Sequence, residues 1–379
     1  MRGGAAALQR GDAAGARKLL AAAADRHPGS PPLAFLLAQA CRHSGDAPGE
    51  EAALDRVLAA QPRHVGALVM RGDCYVRAGD RRAAGSFYQA AVKEAAGKRL
   101  PPLLAQEIAR AEQAAAAILT EFADHLDDRL ARIGAGASGR VADAIDIMRG
   151  RKAIHLQQPT SFYFPGLAQI EFFEREAFPW LGAIEAAIPE IRDELAAVMA
   201  EDGAFHPYVE SDPNRPAAAH AMLGDPSWSA FHLFDKGRPH PLNAARCPRT
   251  MAALEAAPMP FIRGRSPMAL FSLLRPGAHI APHHGLLNTR LICHLPLVVP
   301  PDCALRVGNS TRIWDPGKAL IFDDSIEHEA WNRSGETRVI LLFEIWRPEI
   351  SENERAALTA VFEAITDHEG IPAGAAATL

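Results

Sequence analysis

Short apolar runs separated by turn residues dominate the C-terminal half of the chain. Between residues 268 and 346, apolar and β-branched segments are divided by Pro-Gly, Gly-Asn and Asp-Pro-Gly turns. Strands of this length with tight turns between them are typical of an antiparallel β-sandwich or barrel. Polar residues interrupt these runs at a few positions, and such positions in otherwise buried strands are candidates for a functional site.

The N-terminal residues, up to about 95, are rich in Ala and apolar with a helical period. Within them a Gly-Asp pair recurs every 34 residues, and Pro28 and Pro62 have the same spacing. The pairs are Gly11-Asp12, Gly45-Asp46 and Gly79-Asp80.

Helix pairs with a 34-residue period resemble the tetratricopeptide repeat. The resemblance implies two to three repeats, with the first beginning only near its second helix. Stacked repeats form a solenoid with a concave groove. That groove is read either as a site for a peptide or protein partner or as a dimerisation or structural module.

Further helices are predicted at residues 101–131, 141–150 and 351–367, and a helix pair broken at Pro189 at residues 179–202. Residues 134–139 form a GxGxxG pattern, but a helical pattern precedes it where a dinucleotide site needs a strand. A flexible connection is therefore favoured there. Residues 210–226 are polar and rich in Pro, which predicts a loop, and long loops at a barrel mouth often act as lids.

Two histidines are the candidate metal ligands. Imidazole binds iron, zinc, copper and nickel, and His283 and His328 lie on separate predicted strands that the fold can bring together. Many iron oxygenases have a carboxylate two residues after the first His, and Gly285 stands at that position. Either water fills the third position or the metal is not iron. His284 should point to the opposite face of its strand.

Two arginines supply candidate anion-binding groups. Strand alternation puts Arg338, Ile340 and Leu342 on one face, and a buried guanidinium needs an anion such as a carboxylate. The most economical anion is a dicarboxylate whose other end chelates the metal. The same alternation gives Arg290 and His294 a common face. Asp323 and Asp324 precede His328 and are read as turn residues or, for Asp324, as part of the site.

These segments resemble the aspartyl/asparaginyl β-hydroxylases, which are Fe(II)- and 2-oxoglutarate-dependent dioxygenases on a double-stranded β-helix. The similar motifs are Ser272 followed by RPGAHIAPHHG, then NTRLICHLPL, WDPGKALIFDDSIEHEAW and the strand from Arg338 to Trp346. Upstream, QQPTSFYFPGLAQIEFFEREAFPWL and a spaced W-x-x-F, G, N, P-x-T pattern extend the resemblance to residues 155–350. This family has two His ligands and a Gly in place of the acid.

The resemblance implies a role for each matched residue. His283 and His328 would bind iron, while Ser272, His294 and Arg338 would hold 2-oxoglutarate, with dioxygen as the other cosubstrate. Arg290 and Asp324 would line the substrate side. The expected reaction hydroxylates an Asp- or Asn-like side chain in a peptide, protein or amino acid and converts 2-oxoglutarate to succinate.

Two departures weaken the inference about substrate. Ile292 stands where the animal enzymes that act on epidermal-growth-factor-like domains have Arg, and Ala230 where they have an amide. Both positions face substrate in those enzymes. Two alternatives stay open: a metal-binding cupin-like protein that is not an oxygenase, and a repeat-based scaffold with a non-catalytic barrel.

Composition narrows the function classes. The formal net charge of −5 gives no electrostatic case for binding nucleic acid or an anionic membrane. The five Cys form no CxxC pair, so disulfides are not expected, and no signal peptide or membrane span is evident. We therefore expect a cytoplasmic protein.

The predicted fold class is α+β in several domains. An α-helical tetratricopeptide-like solenoid precedes a jelly-roll, or cupin-like double-stranded β-helix, with flanking helices. The predicted boundaries are a repeat domain at 1–131, a linker and helix at 132–154, a dioxygenase domain at 155–350 and a C-terminal helix and tail at 351–379.

Overall fold

A computed structural model describes residues 2–132, 139–210 and 222–370. The chain divides into two compact units, residues 1–151 and residues 152–379. The first unit is helical, and the second contains two antiparallel sheets with flanking helices. The predicted order of helices first and antiparallel sheets second is confirmed.

In the helical unit, each helix from α1 to α7 packs against the next one along the chain. At the junctions inside the first three pairs, Gly11, Gly45 and Gly79 have φ angles of +81°, +75° and +78°, a backbone conformation that favours glycine. The helices are α1 (Arg2–Gln9), α2 (Ala13–Arg26), α3 (Pro31–Ser44), α4 (Ala47–Ala60), α5 (Val65–Arg77), α6 (Arg81–Ala95), α7 (Pro102–Arg132) and α8 (Gly139–Met148).

The Asp of each Gly-Asp pair begins the following helix. The side chains of Asp12, Asp46 and Asp80 accept hydrogen bonds from the backbone N–H three residues later, at 2.8, 3.0 and 2.9 Å. The 34-residue spacing is thus a spacing of helix ends: glycine turns the chain and aspartate caps the next helix.

The expectation that the first repeat lacks its first helix is wrong. Helix α1 has eight residues and precedes Gly11. It packs closely on α2, since a Cβ atom at Gly4 would lie 2.5 Å from Cγ of Leu20. The sequence pattern did not predict this helix because it contains two glycines, and glycine is a weak helix former.

Helix α7 confirms the helical pattern before the glycine-rich segment, and α8 lies two residues earlier than predicted. Most of the GxGxxG pattern lies outside the described residues. A dinucleotide site would need a strand directly before this pattern, and the structure has helix α7 there.

The second unit contains twelve strands within the described ranges. They are β1 (Phe172–Phe173), β2 (His206–Pro207), β3 (Trp228–Asp235), β4 (Arg238–Pro239), β5 (Ala269–Leu274), β6 (His279–His283), β7 (Arg290–Val298), β8 (Cys303–Val307), β9 (Ser310–Ile313), β10 (Leu320–Phe322), β11 (His328–Asn332) and β12 (Arg338–Trp346).

The larger sheet has the order β1-β10-β7-β12-β5-β3-β2, with β4 paired to β3, and the smaller sheet has the order β6-β11-β8-β9. One apolar core joins the inner faces of the two sheets and includes Ile280 and Leu305 of the smaller sheet and Ile340 of the larger one. The candidate site residues lie on these inner faces.

Helices cover the outer face of the larger sheet. Apolar residues of α9 (Leu181–Ala186), α10 (Ile188–Met199) and α12 (Pro248–Leu254) pack against β7 and β12, and a short α11 (Asn243–Arg246) precedes α12. The helix break comes at Ala187, and Pro189 stands in the first turn of α10, where its missing N–H costs nothing. The break was predicted at Pro189 and is two residues earlier.

The last helix, α13 (Glu352–Glu369), begins with a capping box between Ser351 and Glu354. It extends slightly beyond the predicted residues 351–367. The predicted lid at residues 210–226 falls largely outside the described residues. No helix in the described ranges has the length and apolarity needed to cross a lipid bilayer.

Candidate active site

Two histidine side chains meet on the smaller sheet. His283 at the end of β6 and His328 at the start of β11 are register partners, and their ring centroids lie 4.1 Å apart. Nδ1 of His283 lies 2.8 Å from the carbonyl oxygen of Ala281, and Nδ1 of His328 lies 3.0 Å from that of Ile326. An imidazole that donates through Nδ1 presents the lone pair of Nε2, as a metal ligand must.

Burial, and then the neighbouring His283, hold the pKa of His328 well below its usual value. The neutral imidazole that results is the form that binds metals. In the described parts of the chain, no three His, Cys, Asp or Glu side chains are grouped so as to hold a metal ion. The donor set available here is therefore the pair of imidazoles, which fits an open metal site completed by other ligands.

The carboxylate of Asp324 fills the space next to Gly285. A Cβ atom at Gly285 would lie 2.1 Å from Oδ2 of Asp324 and 2.4 Å from its Cγ. The backbone N–H of Gly285 donates to the carbonyl oxygen of Asp324 at 2.6 Å, which fixes the two segments together. The position where many iron oxygenases have a carboxylate side chain is thus closed to any side chain while Asp324 is in place.

Arg338 is a buried cation without a carboxylate partner among the described residues. It is 1% exposed, and its Nε and Nη2 atoms have no hydrogen-bond partner in the described structure. Its guanidinium lies over the ring of Trp314, 5.1 Å from the centroid. Burial lowers the pKa of Arg338 to about 10. Such a group fits an anion, and a ligand carboxylate would satisfy the unpaired donors.

His294 and Ser272 lie near Arg338 on the inner face of the larger sheet. Burial, and then the charge of Arg338, hold the pKa of His294 well below its usual value, and its buried Nδ1 has no partner in the described structure. The Ser272 hydroxyl accepts a hydrogen bond from Nε1 of Trp228 at 3.3 Å. These groups can add polar contacts to an anion that Arg338 holds.

Arg290 is paired, in contrast to Arg338. Its Nη1 forms a short ion pair with Glu344, and its Nη2 lies 3.6 Å from Oδ2 of Asp324. Burial lowers the pKa of Arg290, but Glu344 and Asp324 together raise it by more. Burial is also the main reason that the pKa of Asp324 is raised to about 7.

One cavity of about 270 Å³ between the sheets is lined by every residue predicted for the site. They are Ser272, His283, Arg290, His294, Asp324, His328 and Arg338. His284 is not among the lining residues, as alternation predicts. Asp323 does not line it either: it is fully buried, and its carboxylate accepts from Arg347 Nη1 at 2.5 Å and Gln157 Nε2 at 2.7 Å. Asp323 is a structural residue.

Sequence reasoning missed Glu344. The same alternation that places Arg338, Ile340 and Leu342 on one face of β12 also places Glu344 there. An acid on a buried face is the signal that could have found it, because a carboxylate needs a charged partner in that environment. Tyr208 and Trp228, whose stacked rings have centroids 4.1 Å apart, also line the cavity and were not predicted for the site.

Residues 185–348 match the family described as aspartyl/asparaginyl beta-hydroxylase. The matched residues all lie in the second unit, which is similar to this family over most of its length. The aspartyl/asparaginyl beta-hydroxylase of Homo sapiens is 38% identical over 172 residues, which are 45% of this chain and 21% of the human protein.

A second relative of the same unit carries a different name. The ornithine lipid ester-linked acyl 2-hydroxylase of Rhizobium tropici is 35% identical over 179 residues, which are 46% of this chain and 60% of that protein. Among solved structures, the cupin domain of Cnp3 from Schizosaccharomyces pombe aligns with 43% of this chain and 80% of its own, at 10% identity and a TM-score of 0.22. The chain thus spans less than two thirds of the length of the human and the Rhizobium tropici relatives.

Proposed function

We propose that the second unit is an Fe(II)- and 2-oxoglutarate-dependent dioxygenase that hydroxylates a C–H bond. The observation that carries the proposal is the shared cavity: two imidazoles with ring centroids 4.1 Å apart and the guanidinium of Arg338, which has no carboxylate partner among the described residues, line the same space. A ligand that chelates a metal and ends in a carboxylate needs both groups at once. A site that bound only a metal would not need a buried cation, which costs free energy as long as no anion pairs with it.

In this proposal His283 and His328 hold the iron through Nε2. The carbonyl groups of Ala281 and Ile326 orient the two rings by accepting from Nδ1, as outer partners of metal-bound imidazoles commonly do. When bound, iron with 2-oxoglutarate and dioxygen supplies the oxidising chemistry, and 2-oxoglutarate is converted to succinate and carbon dioxide.

Arg338 would receive the distal carboxylate of 2-oxoglutarate, assisted by Ser272 and His294. The burial that lowers the pKa of Arg338 also makes its charge more effective, since little water competes for its donors. The cosubstrate thereby satisfies a group that costs stability in its absence. Catalytic pockets commonly contain such destabilised groups.

The names of the relatives leave the substrate class open. One is named for aspartyl and asparaginyl β-hydroxylation and another for 2-hydroxylation of an acyl group of ornithine lipid. We retain an Asp- or Asn-like side chain of a peptide, protein or amino acid as the proposed substrate. Arg290 and Asp324 line the cavity where they could contact it.

We further propose that the two sheets form a jelly-roll and that the helical unit is tetratricopeptide-like. The support for the second point is the recurrence of the same glycine turn and aspartate cap every 34 residues. A helical array of this kind presents a surface for an extended peptide, so the unit would recruit a protein substrate or partner.

The test is anaerobic addition of Fe(II) to the metal-free protein with and without 2-oxoglutarate. A weak visible charge-transfer band that requires both additions is expected, because a chelating 2-oxo acid on iron absorbs there. The Arg338→Met variant should give the band only at higher 2-oxoglutarate concentration. Absence of the band from well-folded protein would reject the proposal in favour of another metal or of a non-catalytic barrel.

A further inference from the structure

Four ionisable side chains line the buried part of the cavity. Arg290, Asp324, Arg338 and Glu344 are 8%, 6%, 1% and 1% exposed. Lys236 and Arg265 also line it but are partly exposed to solvent, where water screens charge and weakens ion pairs. Any strong electrostatic selection of the group that enters the cavity therefore depends on the four buried charges.

The two buried arginines have different partners. Arg290 is held by Glu344 and approached by Asp324, so one cation already faces two carboxylates. Arg338 faces none, and the proposed function assigns it to 2-oxoglutarate. Once the cosubstrate is bound, neither guanidinium in the buried part of the described cavity is left to receive a further anion.

The cavity wall beside the Arg290–Glu344 pair contains an apolar residue, Ile292. Ile292 lies on β7 between Arg290 and His294 on the same face, and its register partner on β12 is Glu344. Ile292 is 4% exposed and belongs to the apolar core between the sheets. The cavity wall beside the Arg290–Glu344 pair is thus hydrocarbon.

A substrate carboxylate entering this space would meet Glu344 and Asp324 without a free cation, because the charge of Fe(II) would already be balanced by the 2-oxoglutarate dianion. Burying an unpaired carboxylate costs several kcal/mol, because its charge is removed from water without compensation. An amide can instead donate its N–H groups to these carboxylates, and an alkyl group has no charge to remove from water. The charge arrangement therefore discriminates by charge rather than by size.

We propose that the substrate presents an uncharged group to the metal, because Glu344 already pairs with Arg290 and because the apolar Ile292 adds no further cation to the cavity wall. This inference rests on the proposed function and narrows the Asp- or Asn-like substrate to a neutral one. Glu344 acts through Arg290 and is a specificity-determining residue, not a catalytic one.

The test uses propionate and propionamide as a matched pair of probes that differ mainly in charge. Calorimetry is performed on anaerobic protein loaded with Fe(II) and saturated with 2-oxoglutarate, so that Arg338 is already engaged. Wild-type protein should bind propionate no more tightly than propionamide. The Ile292→Arg variant should bind propionate at least about tenfold more tightly than wild type does, while the Ile292→Leu control should not.

Glu344→Gln is the second variant, because it removes the charge that occupies Arg290 with little change of shape. It too should gain affinity for propionate over propionamide. Wild-type preference for propionate, or no gain in a folded Ile292→Arg or Glu344→Gln variant, would overturn the inference. If both variants fail to fold, the wild-type comparison alone decides.

Loading with Fe(II) and 2-oxoglutarate tests the proposed function separately from the neutral-substrate inference. Protein that does not bind 2-oxoglutarate together with Fe(II) rejects the proposed function. Protein that binds both but prefers propionate rejects only the neutral-substrate inference.

Discussion

The imidazole of His283 faces that of His328 across two neighbouring strands, with ring centroids 4.1 Å apart. If the pair binds iron, His328→Ala should remove stoichiometric metal and leave the fold intact. The loss of metal affinity should exceed the roughly 10–100-fold that is typical when only a hydrogen-bond partner of a ligand is removed. Metal content after dialysis, with circular dichroism to monitor the fold, measures this. His284→Ala is the matched control, since His284 does not line the cavity. Stoichiometric iron in the His328→Ala protein would refute the assignment.

Arg338→Met should affect the cosubstrate far more than the metal. Two or more charge-assisted hydrogen bonds, at roughly 1.5–3 kcal/mol each, correspond to a loss of about 100-fold or more in affinity for 2-oxoglutarate. Affinity for Fe(II) alone should change little, because Arg338 is not a ligand. Separate titrations of the two components measure the contrast. Equal losses in both would exclude Arg338 as the carboxylate clamp.

The same substitution should stabilise the ligand-free protein. Burial lowers the pKa of Arg338 from its ordinary 12.5 to about 10. Between pH 10 and pH 12.5 the unfolded chain binds more protons at Arg338 than the folded protein does, so the free energy of unfolding rises with pH in that range. Below about pH 10 Arg338 is protonated in both states, and the full cost of burying its charge applies. That cost is about 3 kcal/mol. Thermal melts at pH 8 should show Arg338→Met above wild type, and the exposed Arg333→Met should show no such gain. A lower melting temperature for Arg338→Met would contradict this view of the buried charge.

Asp324 predicts a pH dependence of stability with the opposite sign. Burial raises its pKa from 3.8 to about 7, so the folded state binds the proton more tightly than the unfolded chain does. The contribution of Asp324 to the free energy of unfolding is therefore fully present below about pH 4. It decreases by up to about 4 kcal/mol as the pH rises through 7. The Asp324→Asn variant lacks this titration. The difference in free energy of unfolding between variant and wild type should grow from pH 4 to pH 7. A constant difference would show that the carboxyl titrates normally.

Gly285→Ala should destabilise the protein, because the added Cβ atom would collide with the Asp324 carboxylate. Gly335→Ala is the control, since no atom lies within 4 Å of a Cβ atom there. A second change, Asp324→Ala, should recover part of the loss, since it removes the group that collides. Chemical denaturation of the two single variants and the double variant gives the coupling energy. Strictly additive effects would mean that the two side chains do not compete for space.

Local periodicity was enough to find much of the site. Alternation along β7 and β12 put Arg290, His294 and Arg338 on faces that turn out to line one cavity. The spacing of 34 residues located the helix ends, because a glycine with positive φ and an aspartate cap are local requirements. Both rules depend only on near neighbours in the chain.

Contacts between distant segments could not be predicted in the same way. The Gly285–Asp324 contact and the Arg290–Glu344 pair depend on which strands pair and in which register. Strand β10, for example, pairs with both β1 and β7, and no local pattern specifies such partners. Strand alternation could have placed Glu344 on the cavity face, but it could not have identified Arg290 as its partner.

The Asp324 carboxylate beside Gly285 also restricts how the site could change over evolutionary time. A single substitution at position 285 cannot introduce a carboxylate ligand, because the neighbouring side chain already fills the volume. Adding a third protein ligand would take two substitutions, and the protein with only one of them would have either a steric clash or an Arg290 with one fewer carboxylate neighbour. A change from two histidine ligands to three protein ligands would therefore need coordinated substitutions at positions 285 and 324.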